Sequence, residues 1–373
     1  MATGTIVIKI GSSSLTDGNG ALSTERLRGH VEAICELRHQ GINVIVVTSG
    51  AVAAGFTLIG YHQRPKKSIS QKQAAAAVGQ SLLMQAYMDA FRLHGYTAAQ
   101  LLLTRADFAD PARFSNISQT LRELLKRGAI PVINENDSTS VDELTFGDND
   151  RLSALVSGII HADMLCLYTD VNGVYDQNPN DSPNAKKYHY LASVPEALLD
   201  RVSADTSAVG TGGMKSKLLA AKTAIELGTN VFIGNGKGRE TFTDVLLGKG
   251  DGTYLGPFTN KTMSTTKQWI VFHSEPAGSI EIDSGASTAL LKRGKSLLPA
   301  GVLSAKGDFS AGDIIEVFFN NRPIGKGKTN FSKHELELIK GLNSEEALSL
   351  TKRSKKAVIH RDFWVATKKE CSY

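Results

Sequence analysis

The first 250 residues alternate short, nearly continuous apolar runs with longer segments of helical periodicity. The apolar runs are TIVIKI (5–10), NVIVVTSG (43–50), AAQLLL (98–103), AIPVINEND (129–137), ADMLCLYTD (162–170) and NVFIGNG (230–236). The predicted helices between them cover roughly 24–40, 70–94, 115–128, 150–161 and 210–228. Alternation of this kind predicts a mostly parallel sheet whose strands are buried on both faces.

The C-terminal part of the chain has a different pattern. Polar, turn-rich sequence around Gly256–Lys267 interrupts the alternation. Beyond it, short apolar runs at 269–272, 279–283, 314–319 and 357–360 are separated by glycine-rich turns, which predicts a small, mostly β domain. We therefore predict a first domain over 1–258, a linker over 259–275, and a second domain with a tail over 276–373.

Composition adds a charge asymmetry to this picture. Hydrophobic residues make up 41% and charged residues 21% of the chain, which is typical of a globular protein. Residues 1–260 hold 24 Lys/Arg against 25 Asp/Glu, whereas residues 261–373 hold 18 against 12. The basic C-terminal part is either a face for nucleic acid or a solvated surface, and charge alone leaves both open.

Several classes of protein are excluded by missing patterns. The cysteines, Cys35, Cys166 and Cys371, are too scattered for a disulfide framework or a cysteine-based zinc site. No apolar run approaches the roughly 18 residues of a membrane span, and no signal-peptide pattern is present, so we expect a cytoplasmic protein without a membrane partner. Gly-x-Ser-x-Gly and His-Glu-x-x-His are also absent, which disfavours triad or zinc hydrolase chemistry.

The predicted sheet indicates where a site should lie. Parallel α/β sheets bind ligands at the carboxyl ends of their strands. The segments at those ends are small, polar or acidic, and read GSSS (11–14), TSGA (48–51), NEND (134–137), TD (169–170) and GNGKG (234–238). The sequence thus predicts a ligand site along this edge.

Two lysines lie where phosphate binding would need them. No Gly-x4-Gly-Lys and no Gly-x-Gly-x-x-Gly occurs, so neither a Walker loop nor a dinucleotide fingerprint fits. The stretch GTGGMKSKL (210–218) offers a glycine-rich helix start instead, where Lys217 opposes the helix dipole and favours an anionic partner; an ordinary flexible helix start is the alternative. Lys9 interrupts an apolar strand, and its burial would require an anion.

Two loops rich in Asn and Asp complete the candidate chemistry. NENDS (134–138) and FGDND (146–150) supply Asn134, Asn136, Asp137, Asp148, Asn149 and Asp150. Such loops form turns, bind a metal through oxygen ligands, or recognise an ammonium group. The residues alone leave these three interpretations open.

Six segments in combination resemble the amino acid kinase family. They are KIGSSSLT, VIVVTSGAVAAG, PVINENDS, FGDNDRLSALV, YTDVNGVY and GTGGMKSKLLAA. SLLPAGV, GDFSAGDII and VIHRD resemble the PUA domain. The resemblance implies a three-layer α/β sandwich around a mostly parallel sheet, followed by a small, mostly β PUA-like domain. The tail after Asp362 matches no pattern, and Ser14 stands where a larger apolar residue is more usual.

Within that family, the resemblance implies transfer of the ATP γ-phosphoryl group to the side-chain carboxylate of L-glutamate, the first step of proline biosynthesis. Kinases of aspartate, N-acetylglutamate, carbamate or UMP are the alternatives, although the acidic loops disfavour a nucleotide acceptor. Mg²⁺ is expected, held mainly through the ATP phosphates rather than by a protein metal site. The resemblance also implies a homo-oligomer (dimer or tetramer) and coupling to glutamyl phosphate reductase, while RNA binding by the PUA-like domain is an alternative second activity.

The positions that match the family carry its expected roles. Lys9 and Lys217 match the phosphate-contacting lysines, and Asp150 matches the residue that orients both. The matching glutamate-binding positions are Ser49, Asp137, Asn149, Asn134 and Asp148. The matching ATP-binding positions are Lys9, Gly11, Thr169, Asp170, Thr211, Gly212, Gly213, Met214, Lys215, Ser216 and Lys217.

Overall fold

The computed structural model describes residues 4–65, 68–138, 149–179, 181–182, 184–204, 213–235, 241–258, 270, 276–351, 353 and 355–366. The chain divides into two compact units, Met1–Asp107 with Ala112–Thr262, and Phe108–Pro111 with Met263–Tyr373. The predicted linker, 259–275, lies outside the described residues apart from Ile270.

The first unit is built on an eight-stranded sheet in the order β3-β4-β2-β1-β5-β9-β10-β8. Its strands are β1 (Thr5–Ile10), β2 (Asn43–Thr48), β3 (Ala98–Leu103), β4 (Ile130–Glu135), β5 (Met164–Thr169), β8 (Tyr190–Leu191), β9 (Asn230–Asn235) and β10 (Gly252–Leu255), while β6 (Val174–Tyr175) and β7 (Lys187–Tyr188) form a separate pair. Only the pairing of β10 with β9 is antiparallel within the eight-stranded sheet. The predicted mostly parallel α/β sheet is confirmed.

Helices cover both faces of this sheet. They are α1 (Ser12–Leu15), α2 (Thr24–His39), α3 (Ala51–Gly55), α4 (Ile69–Arg92), α5 (Arg105–Ala109), α6 (Pro111–Lys126), α7 (Asn149–Ile160), α8 (Glu196–Ala204), α9 (Met214–Glu226) and α10 (Thr241–Leu246). Most predicted boundaries hold within about two residues. Helix α6 begins at Pro111 rather than near residue 115, because proline is tolerated in the first turn, where its missing N–H costs nothing.

The alternation of β1 explains how a lysine comes to be buried. Ile6, Ile8 and Ile10 pack into the apolar cluster formed with α2 and α4. Since side chains alternate along a strand, Val7 and Lys9 take the opposite face, which α7 covers. Every residue of α7 except Arg151 is buried. Lys9 therefore lies inside an apolar layer and needs a charged partner there.

Two glycines bring α3 close to α4 and so fix the turn that follows β2. A Cβ atom at Gly79 would lie 1.8 Å from the carbonyl oxygen of Ala51, and one at Gly55 would lie 2.1 Å from that of Ala75. Backbone therefore packs directly on backbone between these helices. At the start of α3, Gly50 has a φ of 109°, a conformation that favours glycine.

The second unit is a five-stranded sheet in the order β12-β11-β13-β14-β15. Its elements are β11 (Gly278–Ile282), α11 (Ser284–Leu291), β12 (Val302–Gly307), β13 (Ile314–Phe319), β14 (Arg322–Thr329), α12 (Lys333–Ile339), α13 (Ser344–Thr351) and β15 (Ile359–Ala366). The predicted strand at 357–360 is too short, because β15 continues to Ala366 and buries Trp364 in the core. The predicted strand at 269–272 lies outside the described part of the chain apart from Ile270. The predicted mostly β second domain is confirmed.

Candidate active site

Two buried lysines share one buried carboxylate at the carboxyl edge of the first sheet. Lys9 Nζ lies 2.6 Å from Asp150 Oδ1, and Lys217 Nζ lies 3.0 Å from Asp150 Oδ2. The exposed fractions are 3% for Lys9, 0% for Asp150 and 5% for Lys217. Three different elements supply these residues, β1, α7 and α9, so the cluster forms only in the folded chain.

The cluster has the electrostatics of an anion site. Its two ammonium groups and one carboxylate carry a formal charge of +1. Helix α9 begins beside it at Met214, after the N-cap residue Gly213, without a side-chain cap and without an acidic residue in its first turn. Its N–H groups and dipole are therefore available to a negative ligand. Lys215 lies in the same turn as Lys217 but is exposed.

A second polar cluster surrounds the side-chain amide of Asn149. Its Nδ2 donates to the carbonyl oxygen of Thr48 (2.7 Å), to Ser49 Oγ (3.0 Å) and to Asn134 Oδ1 (2.9 Å). The orientation of the amide is fixed, because the Thr48 carbonyl can only accept and Asn134 Oδ1 already accepts from the Glu135 N–H. The Oδ1 of Asn149 is buried and accepts no hydrogen bond from the described residues. It is a ready acceptor for a ligand N–H.

Asp137 lies just beyond β4 and is half-buried. Burial raises the pKa of its carboxyl to about 6, and the positive charge of Arg64 opposes that rise. Pairing with a cation stabilises the ionised form of a carboxyl that is desolvated in this way.

A polar cavity of about 310 Å³ opens at the ends of β5 and β9. Its lining residues are Asp170, Val171, Asn172, Tyr175, Pro179, Asn235 and Asp251. A chain of hydrogen bonds runs along it: Tyr175 donates its hydroxyl to Asn172 Oδ1 (2.5 Å), and Asn172 Nδ2 donates to Asp251 Oδ2 (3.0 Å). Asp251 also pairs with Lys187, and these two partners lower the pKa of its carboxyl.

The predicted site residues separate into groups. Lys9, Asp150 and Lys217 form the charged cluster, and Ser49, Asn134 and Asn149 form the amide cluster. Gly11 lies beside the Lys9 ammonium group, since a Cβ atom at Gly11 would lie 3.5 Å from Lys9 Nζ. Thr169 donates to Asp170, which lines the cavity, and Gly213, Met214, Lys215 and Ser216 form the start of α9. Asp148, Thr211 and Gly212 lie outside the described residues.

Part of the cavity lining was not among the site residues predicted from the sequence. Asn172 and Tyr175 belong to the YTDVNGVY segment, which could have identified them. Asp251 comes from a distant loop before β10, and no local motif marks it.

Among the residues that the structure describes, no group of three or more His, Cys, Asp or Glu side chains could hold a metal ion. No helix there is both long enough and apolar enough to cross a membrane.

Two buried ammonium groups beside an uncapped helix start, at the carboxyl edge of a mostly parallel α/β sheet, suit the binding of a phosphate group. The model of the amino acid kinase family matches residues 4–235, and that of the PUA domain matches residues 278–349. The chain belongs to the amino acid kinase family, which confirms the resemblance.

Relatives extend this result over nearly the whole chain. Glutamate 5-kinase of Bacillus cereus (strain G9842) is 55% identical over 97% of this chain and 98% of its own length. Glutamate 5-kinase of Geobacillus kaustophilus is 55% identical over 98% of each chain. The solved structure of carbamate kinase from Giardia lamblia bound to AMP-PNP has a TM-score of 0.50 at 14% identity, covering 68% of this chain and 98% of that one, and shares the fold.

Proposed function

We propose that the chain transfers the γ-phosphoryl group of ATP to the side-chain carboxylate of L-glutamate, giving L-glutamyl 5-phosphate, the first step of proline biosynthesis. The observation that carries this function is the match at 55% identity, over 97% of the chain, to proteins named glutamate 5-kinase. The charged cluster of Lys9, Asp150 and Lys217 supplies the chemistry that such a transfer needs.

The acceptor needs no general base in this reaction. A side-chain carboxylate is ionised at neutral pH and attacks phosphorus directly. The enzyme must instead position the reactants and stabilise negative charge on the transferring phosphoryl group. Lys9 and Lys217 are our proposed source of that charge stabilisation, and Asp150 fixes the positions of both ammonium groups.

The nucleotide would lie along the edge that joins α9 to the cavity. We place its phosphates at Lys9, Gly11 and the start of α9, where Gly213–Lys217 provide N–H groups and positive charge, with Thr211 and Gly212 as further proposed contacts. We place its nucleoside in the cavity beside Thr169 and Asp170, because the carboxylates there would repel phosphate. Mg²⁺, bound mainly through the ATP phosphates, would neutralise part of their charge.

Glutamate would lie between the charged cluster around Asp150 and the amide cluster around Asn149. Its ammonium group can pair with Asp137 and donate to the Oδ1 of Asn149. Ser49 and Asn134 hold Asn149 in the required orientation. Asp148 completes the proposed glutamate-binding set.

The test of this function is acceptor specificity. The purified chain is incubated with Mg²⁺, ATP and one acceptor at a time, and both ADP release and hydroxamate formation after trapping with hydroxylamine are measured. L-Glutamate should give both signals, whereas L-aspartate, N-acetyl-L-glutamate and UMP should not. Turnover of another acceptor in place of L-glutamate would overturn the proposal.

Glutamate use should decline in acid because Asp137 must be ionised to bind an ammonium group. Asp137 has a pKa of about 6 in the free protein. The kcat/KM for glutamate should therefore fall about tenfold per pH unit below pH 6. The charges of glutamate itself change little between pH 5 and 7.

The variant Asp137→Asn tests whether Asp137, rather than a histidine of the chain, causes this pH dependence. It should raise the KM for glutamate strongly at pH 7.5 and remove most of the slope below pH 6, with the KM for ATP unchanged. A slope that persists in Asp137→Asn would assign the titration to another group.

A second candidate function is RNA binding by the second unit. The Arg361 N–H donates to Ser296 Oγ (3.0 Å), which brings the exposed segment Lys292–Lys295 beside β15 and the exposed His360 and Arg361. Lysine and arginine side chains grouped in this way fit a phosphate backbone.

Replacing Lys292, Arg293 and Lys295 together by alanine in the full chain should weaken binding to a structured RNA and reduce its salt dependence. Glutamate kinase activity should not change. Salt-independent binding, or equal binding by the triple variant, would exclude this function.

The domain boundaries at 258 and 276 stay proposals that rest on the change of sequence pattern between them. The predicted homo-oligomer and the coupling to glutamyl phosphate reductase stay predictions, since they concern partners beyond a single chain.

A further inference from the structure

Helix α2 and its N-cap residue, Ser23, hold four consecutive backbone carbonyl groups of the segment that follows β1. Arg26 Nη1 donates to the carbonyl oxygens of Ser13 (3.3 Å) and Thr16 (2.5 Å). His30 Nε2 lies 3.3 Å from the carbonyl oxygen of Ser14. The carbonyl oxygen of Leu15, between them, accepts from the Ser23 N–H at 2.7 Å. All carbonyl groups from residue 13 to residue 16 therefore point toward α2.

His30 is suited to donate in this arrangement. The carbonyl oxygen of Ser14 can only accept, so Nε2 must carry the hydrogen. Burial lowers the pKa of His30, which favours its neutral form at pH 7.

The same segment lies against the charged cluster. It leaves β1 at Gly11, where a Cβ atom would lie 3.5 Å from Lys9 Nζ. The Ser49 N–H donates to the carbonyl oxygen of Ile10 (3.1 Å), which ties the start of the segment to the turn after β2. The backbone of Gly11–Thr16 thus connects α2 to the surroundings of Lys9.

Carbonyl orientation matters here because each carbonyl oxygen carries partial negative charge. A carbonyl oxygen that turned from α2 toward Lys9 would compete for its ammonium group and repel a polyphosphate. Since a peptide unit is planar, a carbonyl held toward α2 also directs the N–H of the same unit to the opposite side.

We propose that Arg26 and His30 are positioning residues for phosphoryl transfer, which act through the backbone of Gly11–Thr16 on the Lys9 ammonium group and the ATP phosphates. This role rests on the proposed kinase function. Neither side chain contacts the reactants in this scheme. Their effect is on the geometry and charge of the surface that receives ATP.

The test compares Arg26→Ala and His30→Ala with Arg28→Ala, which removes an exposed arginine of the same helix. Each of the first two should lower kcat at least tenfold and raise the KM for ATP severalfold, with the KM for glutamate within about twofold. The Kd for Mg²⁺–AMP-PNP should rise in parallel, and amides of residues 12–16 should exchange hydrogen faster. Arg28→Ala should match the wild type, and His30→Gln, which keeps an N–H donor, should recover part of the loss.

Several outcomes decide the proposal. If Arg26→Ala and His30→Ala lower Tm but leave kcat, the KM for ATP and the Kd for AMP-PNP equal to those of Arg28→Ala, their role is only structural and the proposal fails. If an alanine variant does not fold, Arg26→Lys and His30→Gln are measured instead, with intermediate losses expected and wild-type constants counting against the role. If the wild type binds AMP-PNP but does not phosphorylate glutamate, the kinase function fails, whereas the Kd and exchange data still decide the positioning role.

Discussion

Asp150→Asn lowers kcat by about 10³-fold, the largest loss expected from one conservative change in the chain. The carboxylate pairs with an ammonium group at each of its two oxygens, with Lys9 Nζ 2.6 Å from Oδ1 and Lys217 Nζ 3.0 Å from Oδ2. An asparagine has one oxygen and one NH₂ group, so it can face only one lysine favourably. The other ammonium group would meet a donor and be displaced.

The same substitution should also lower the free energy of unfolding. It raises the formal charge of the cluster from +1 to +2, because a neutral amide replaces the carboxylate. That extra charge is buried, since both lysines are less than a tenth exposed. Removing one partner of a buried ion pair typically costs about 3–5 kcal/mol, and we expect a loss of that size here.

Steady-state kinetics and urea denaturation measure the two effects. Glu196→Gln is the matched control, since it neutralises a carboxylate in an exposed ion pair with Lys222 in the same unit. Exposed pairs contribute little, so this control should keep wild-type kcat and stability. Wild-type kcat in Asp150→Asn would remove Asp150 from the proposed catalytic set.

The sheet could be predicted from the sequence because its strands are apolar on both faces. Continuous runs such as 43–50 and 162–170 leave few other structures open to them. The same logic identified Lys9 as a lysine that must have an anionic partner. Short elements escaped prediction: α1 has four residues and β6 has two, too few to show a period.

The partners across the site could not be read from the sequence alone. Residue types and spacing indicated that Lys9 needs an anion, but several carboxylates lie in the two acidic loops. Only the family resemblance singled out Asp150, and the fold brings it between the lysines because α7 begins beside the end of β1. Asp251 and Arg26 had no local signal, since each acts through residues of other elements.

Lys217→Ala should lower kcat by about 10²–10³-fold, with a much smaller change in the KM for glutamate. The reason is that its ammonium group is proposed to bind the transferring phosphoryl group, whose charge is greatest in the transition state. Lys9→Ala should behave similarly, because its ammonium group shares the same carboxylate.

Lys215→Ala is the comparison that separates the two roles of charge in this turn. Lys215 and Lys217 share the first turn of α9 but differ by about 200° around its axis. Lys217 is 5% exposed and bound to Asp150, whereas Lys215 faces solvent. If charge near the helix start were all that mattered, both variants would lose similar activity. A loss confined to Lys217→Ala would instead mean that catalysis depends on the ammonium group held by Asp150, and equal losses in both variants would contradict this assignment.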